Sequence, residues 1–320
     1  MSEPVRVLEA DAVTRLAARL DPLDVMRQLF RTLGEGRAVQ PPQTLAQFPD
    51  GAGDFITYLG VLAGAQVFGA KLSPYIVRPD GPLITAWTTL MSMETGRPLL
   101  MCDSRQLTTE RTAATTALAV DLLAARDART LAIIGTGEVA RAHLRHVSGL
   151  RNWSEIRMHS RQLMFSLDAQ DALHSMDARM RLSGTVADAV HDADVVMLCT
   201  SSATPILDPA DLTRRALITS ISTNAPRAHE VPALSLLSMD VYCDDRDTTP
   251  YSAGEMVIAA EEHDWSPDQI AADLGDLVLG TAEPPRRDTH AFFRSIGLGL
   301  EDVAMAHAIL ELARQDDARL

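Results

Sequence analysis

The apolar run at 131–134, closing on Gly135-Thr136-Gly137-Glu138-Val139-Ala140, constrains the fold more than any other feature of this chain. A short strand that ends in glycines and opens a helix is the entry to a βαβ unit. Gly135 permits the tight turn, Gly137 lets the backbone approach a ligand, and Ala140 is small enough for helix and strand to pack closely. N–H groups at the positive end of the helix then form a seat for a diphosphate. The expectation is a Rossmann unit whose turn, Gly135, Thr136, Gly137, Glu138 and Val139, holds a dinucleotide. Strands are predicted at 155–159, 194–199, 216–222 and 241–243, with helices running to about 150 and within 167–180. Strand alternating with helix is the pattern of a parallel sheet covered on both faces.

Ahead of this unit the texture differs. Leu16, Leu20, Leu23, Met26, Leu29, Phe30 and Leu33 recur at helical spacing, which predicts short helices over 6–36. From 39 to 101, β-type runs at 55–59, 67–72 and 83–91 are punctuated at Asp50-Gly51, Pro79-Asp80-Gly81 and Thr95-Gly96. A long alanine-rich helix is expected at 108–125, starting at Thr108-x-x-Arg111, and a closing helix at 301–313. The chain therefore reads as α/β, in three parts. Residues 1–125 form an α+β substrate-binding and dimerisation domain, 126–298 the Rossmann domain, and 299–320 a C-terminal helix that returns to complete the first domain.

The choice of dinucleotide is legible about 20 residues past the turn. An acid there would bond the ribose hydroxyls of NAD. Here the second strand ends His159-Ser160-Arg161-Gln162, with no acid. Ser160 can donate to a 2′-phosphate and Arg161 can pair with it. NADP(H) is expected over NAD(H).

Charge and cysteine usage exclude other classes. A formal net charge of −14 repels polyphosphate, which argues against nucleic acid or an anionic membrane as partner. The most apolar stretch, 60–70, is too short to span a bilayer, and the first ten residues carry two glutamates and no apolar core. Cys102, Cys199 and Cys243 are widely spaced in apolar segments and read as reduced core residues, so the cytoplasm is expected. His143 and His146 lie one turn apart on the first Rossmann helix without a third ligand nearby. They read as helix-surface residues, and no metal is expected.

Several blocks, in order, carry a family resemblance: Gly69-Ala70-Lys71-Leu72, Thr95-Gly96-Arg97-Pro98-Leu99, Leu107-Thr108-Thr109-Glu110-Arg111-Thr112-Ala113-Ala114, Gly135-Thr136-Gly137, and Ser295-Ile296-Gly297-Leu298-Gly299-Leu300-Glu301-Asp302. From about Ala38 to the last helix the chain resembles the ornithine cyclodeaminase/mu-crystallin family. That family includes amino-acid cyclodeaminases, alanine dehydrogenase, ketimine and pyrroline-2-carboxylate reductases, and binding proteins. The resemblance implies hydride transfer between an amine-bearing α-carbon and nicotinamide, and a homodimer built through the first domains. It places Lys71 beside the substrate as proton shuttle or carboxylate partner, and Arg111 on the substrate carboxylate. Thr112, Ser295 and Gly297 would lie along the cofactor, and Thr200 and Ser201 beside its adenosine half.

Two departures bear on the reaction. Gln43 stands where many members have an arginine, so it can hydrogen-bond a carboxylate without neutralising it. Asn224 stands where cyclodeaminases carry an aspartate ahead of a Pro-x-x-x-Glu stretch, here Pro226 to Glu230. Asn224 cannot take a proton from an amine or from water. The reading that follows is an NAD(P)H-dependent imine reductase or amino-acid dehydrogenase acting on a small imino or keto acid. Lys71, Arg111 and Asn224 are its candidate catalytic residues, and Gln43, Lys71 and Arg111 its substrate-binding ones. The alternatives are a cyclodeaminase and a non-catalytic NADPH-binding protein of the mu-crystallin type.

Overall fold

A computed structural model of the chain describes residues 4–161, 163, 166–222 and 227–318. They divide into two compact units, 1–111 with 297–320, and 112–296.

The first unit opens with β1 (Arg6–Leu8), α1 (Ala10–Ala17) and α2 (Pro22–Gly34). Asp21 caps α2 by accepting from the backbone N–H groups of Leu23 and Asp24, and Pro22 fits its first turn. Residues 6–8 are a strand where helix was expected, because they pair in parallel with 100–102. Seven more strands follow: β2 (Ala38–Val39), β3 (Thr44–Gln47), β4 (Gly53–Leu62), β5 (Val67–Ile76), β6 (Leu83–Ile84), β7 (Trp87–Ser92) and β8 (Pro98–Asp103). The sheet order is β1-β8-β7-β5-β4-β2, with β3 added to β4 and β6 to β5. Next comes α3 (Arg105–Leu123), within which the two units divide. It begins three residues before the expected Thr108, where Asp103 accepts from the Arg105 N–H.

The second unit continues with β9 (Thr130–Ile134), α4 (Glu138–Val147), β10 (Glu155–His159), α5 (Leu167–His174), β11 (Met180–Leu182), α6 (Val186–Val190), β12 (Val195–Leu198) and β13 (Leu217–Ser220). It ends with β14 (Met239–Cys243), α7 (Gly254–Glu262), β15 (Ile270–Asp273), α8 (Leu274–Leu279) and β16 (His290–Arg294). All eight strands are parallel, in the order β11-β10-β9-β12-β13-β16-β14-β15. The chain winds outward from β9 through β10 to β11, then returns to β12 on the other side. The switch point therefore lies between β9 and β12, where open α/β sheets take their ligands. The fold is the α/β arrangement expected, a Rossmann sheet and a mixed sheet.

Helix α9 (Gly299–Asp317) belongs to the first unit and packs on β4, β5 and β7. Small residues let it seat closely. A Cβ on Gly60 would lie 2.9 Å from the Leu300 backbone, and one on Gly299 would lie 2.2 Å from the Leu59 carbonyl oxygen. Among the described residues no helix is long and apolar enough to cross a membrane.

Candidate active site

In the first unit, one row of the sheet holds the candidate lysine. Tyr58, Lys71, Thr88 and Cys102 are directly opposed across β4, β5, β7 and β8, so all four side chains share the face beneath α9. Lys71 is 1% exposed. Its Nζ lies 2.9 Å from Asp302 Oδ2 on α9, 3.4 Å from Thr108 Oγ1 on α3, and 4.1 Å from the centre of the Tyr58 ring. Burial disfavours the ammonium, Asp302 supports it and Arg111 opposes it. The pKa comes down to about 8 from an ordinary 10.5.

Arg111 is equally enclosed. Its Nε donates to Asp302 Oδ1 at 3.1 Å and its Nη1 to Glu301 Oε2 at 2.8 Å. Burial works against the guanidinium charge, but Asp302 and Glu301 outweigh it, so the pKa is raised and Arg111 stays a cation. Two buried cations thus face two buried anions, the composition that makes removal from water tolerable. Gly297 closes over them. Its φ is +77°, and a Cβ there would sit 2.3 Å from Arg111 Nη1, so only glycine fits. Sequence reasoning quoted Glu301 and Asp302 in a motif but gave them no role. Gln40 was also missed, though its Oε1 accepts from the Leu300 N–H that opens α9.

Gln43 stands one residue ahead of β3, half-buried, with its Oε1 enclosed and lacking a hydrogen-bond partner among the described residues. An enclosed amide of this kind can meet a polar ligand without adding charge. Asn224 lies outside the described residues.

The second unit assembles its turn at the switch point. Gly135 has φ +125°, and a Cβ there would clash with the Cys199 carbonyl oxygen at 2.3 Å. Gly137 caps α4, and nothing lies within 4 Å of a Cβ built on it, so the N-terminus of α4 opens onto space. Glu138 is exposed beside it and Val139 half-buried, while Ala140 is buried against the sheet. These features fit a diphosphate seated on helix N–H groups. Thr136 Oγ1 and Ser160 Oγ are 2.8 Å apart, and Arg161 is exposed just beyond β10. Thr112, on α3, is half-buried.

Two buried carboxylates, neither singled out as a site residue, organise the neighbouring loops. Glu230 Oε1 accepts from the Thr200 N–H and Oγ1 at 3.0 and 2.7 Å; its Oε2 accepts from Ser220 Oγ and the Ser222 N–H at 2.7 and 3.0 Å. Ser201 is left exposed at that turn. Asp244 Oδ2 accepts from Ser295 Oγ at 2.9 Å and from the Ile296 N–H at 2.8 Å.

His143 corrects an expectation. It is fully buried, and its Nδ1 lies 2.7 Å from the Val139 carbonyl oxygen, which can only accept. Nδ1 therefore carries a proton, and burial, which lowers the pKa to about 4, keeps the ring neutral at pH 7.

Residues 5–317 match the model of the ornithine cyclodeaminase/mu-crystallin family. The chain belongs to that family. An NAD(P)H-dependent anabolic L-arginine dehydrogenase of Pseudomonas aeruginosa is 58% identical over 311 residues, covering 97% of each chain. Among solved structures, Thermococcus litoralis Delta(1)-pyrroline-2-carboxylate reductase, in complex with NADH and L-proline, superposes with a TM-score of 0.88 at 20% identity, over 97% of this chain and 98% of that one. An archaeal alanine dehydrogenase dimer with bound NAD gives 0.87 at 21% identity, over 98% and 97%. Both structures share the fold.

Proposed function

We propose that this family member is an NAD(P)H-dependent amino-acid dehydrogenase that interconverts L-arginine and its 2-imino acid. The observation that carries the reading is the buried Lys71–Asp302–Arg111–Glu301 cluster, in a chain 58% identical to an L-arginine dehydrogenase. Bound nicotinamide supplies a hydride to the imine carbon, or removes one from the α-carbon in the reverse direction. With Nε and Nη1 engaged by Asp302 and Glu301, Arg111 turns Nη2 to the substrate carboxylate. In oxidation, the unprotonated Lys71 Nζ takes one proton from the α-ammonium, so the departing hydride leaves an iminium. In reduction the Lys71 ammonium returns that proton to the amine. Water hydrolyses the released imine to a 2-oxo acid and ammonium. Gln43 offers the carboxylate a second, uncharged hydrogen bond.

NADP(H) is the preferred cofactor on this reading. The Thr136–Ser160 hydroxyl pair and Arg161 suit a 2′-phosphate, where an acid would repel it. Gly135, Gly137, Glu138 and Val139 take the diphosphate, and Thr112, Thr200, Ser201, Ser295 and Gly297 complete the cofactor set. The outer face of the mixed sheet, opposite Lys71, supports a homodimer. It exposes Val7, Val39, Leu59, Phe68, Leu72 and Met101, a run of apolar side chains that a monomer would leave in water. Three free cysteines suit the cytoplasm.

The experiment follows reduction of NADP+ and NAD+ with L-arginine, and oxidation of NADPH with the matching 2-oxo acid and ammonium. Turnover that falls at least ~100-fold in Lys71→Ala supports the assignment. Tight NADPH binding with no turnover of any amino or imino acid overturns it.

A further inference from the structure

The sheet face that carries Tyr58 and Lys71 continues past them. Alternate residues share a face, so Ile56 and Asp54 extend it along β4, and Ser73 and Tyr75 along β5. The register pairs Tyr58 with Lys71, Ile56 with Ser73, and Asp54 with Tyr75. Helix α9 covers the opposite end, where Leu300 meets Gly60 and Val303 meets Gly69. Beyond Lys71 the strip is more open: Ile56, Ser73 and Asp54 are half-buried and Tyr75 is 40% exposed.

Asp54 is the single carboxylate on this strip and has no hydrogen-bond or ion-pair partner among the described residues. Glu301 and Asp302, by contrast, are committed to Arg111 and Lys71. The position of Asp54 is tightly set by its neighbour. Gly53 has φ +131°, and a Cβ there would lie 1.9 Å from the Tyr75 carbonyl oxygen, so β4 closes on β5 just before Asp54 only because residue 53 is glycine. Gln47, opposite Asp54 on β3, adds an exposed amide.

We propose that Asp54 is the specificity residue for the far end of the substrate, its carboxylate receiving the guanidinium of L-arginine with the Gln47 amide oxygen beside it. The assignment rests on the dehydrogenase reading for the position of the α-carbon at Lys71. Asp54 lies four residues along β4 from Tyr58, about 13 Å at the rise of a strand. Three methylenes and a guanidinium reach roughly 7 Å at standard bond lengths. A hydrogen bond of about 3 Å at each end closes the remaining distance. A shorter diamino acid does not reach, and an uncharged side chain leaves the carboxylate without a partner.

The test compares kcat/KM for L-arginine and for L-norleucine, whose side chain is shorter and uncharged, in wild type, Asp54→Asn and Asp54→Glu, with thermal melting as the folding control. The arginine-to-norleucine ratio should fall about 100-fold in D54N, through KM for arginine, and recover in part in D54E. Calorimetric titration of L-arginine into the NADP+-loaded proteins gives a reading independent of turnover, and affinity should fall by a similar factor in D54N. An unchanged ratio or unchanged affinity overturns the assignment. Wild type that oxidises norleucine and not arginine overturns it too, together with arginine as the substrate, and leaves an amino-acid dehydrogenase of other specificity standing. Wild type that binds arginine through Asp54 and oxidises neither overturns the dehydrogenase reading alone.

Discussion

Replacing Asp302 with asparagine keeps the shape of the buried cluster and removes one charge from it. Asp302 touches both cations, Lys71 at 2.9 Å and Arg111 at 3.1 Å. Burial already pulls Lys71 down to about 8, with Asp302 the strongest influence holding it up. An opposite charge in direct contact is worth about 1–3 pKa units, so Lys71 in D302N should titrate roughly two units lower, near 6. On the proposed mechanism reduction needs the ammonium, so its alkaline limb moves down by that amount and the rate at pH 7 falls about tenfold, recoverable at lower pH. On the same mechanism oxidation needs the free amine, so its acid limb moves down and activity at pH 7 is retained or rises. A merely damaged site would depress both directions. The assay is kcat against pH in both directions, with melting curves to verify folding. Limbs that stay near 8 while rates fall uniformly would refute Asp302 as the group that sets the protonation of Lys71.

Four further outcomes follow from the same geometry. Gly297→Ala places a Cβ on Arg111 Nη1 at positive φ, with strain of about 1–2 kcal/mol before any shift of the guanidinium; a lower Tm and a higher KM are expected, and unchanged values of both would contradict the contact. Folded His143 titrates near 4 and unfolded His143 near 6.5, so the unfolded chain binds the extra proton between those values. Its contribution to stability is full above about 6.5 and is lost as pH falls toward 4; urea unfolding should show about 2 kcal/mol less loss between pH 7 and 5 in His143→Leu than in wild type. Ser160→Asp should shift the NADPH/NADH affinity ratio toward NADH, and an unmoved ratio would sink the 2′-phosphate assignment. Phe68→Lys places a charge in the exposed apolar face, and sedimentation should show it monomeric against the dimer proposed for wild type; a monomeric wild type at micromolar concentration would reject the dimer.

Legibility divided along the range of the interactions. The second strand of the Rossmann unit runs over 155–159, as expected, because a buried parallel strand is written in a few adjacent residues. Elements at 180–182, 186–190, 254–262 and 270–279 were not predicted, being short or lacking a clear period. Periodicity also misjudged His143. A helical wheel counts an imidazole as polar, and only the Val139 carbonyl one turn earlier makes its burial affordable.

What the sequence alone determined is local: the strand, glycine turn and helix at 131–147, the absence of an acid beyond 159, and the blocks around Lys71 and Arg111 that mark the family. Backbone conformation and close approach depend on adjacent residues, so glycines and apolar runs report them directly. The tertiary structure decided which charges meet. Arg111 and Asp302 are 191 positions apart and touch because α9 seats on glycines of β4 and β5. The same packing commits Asp302 and leaves Asp54 open, and no local pattern distinguishes those two aspartates. The energy of a buried charge is set by what lies within a few ångströms of it, and in this chain most of those neighbours come from distant segments.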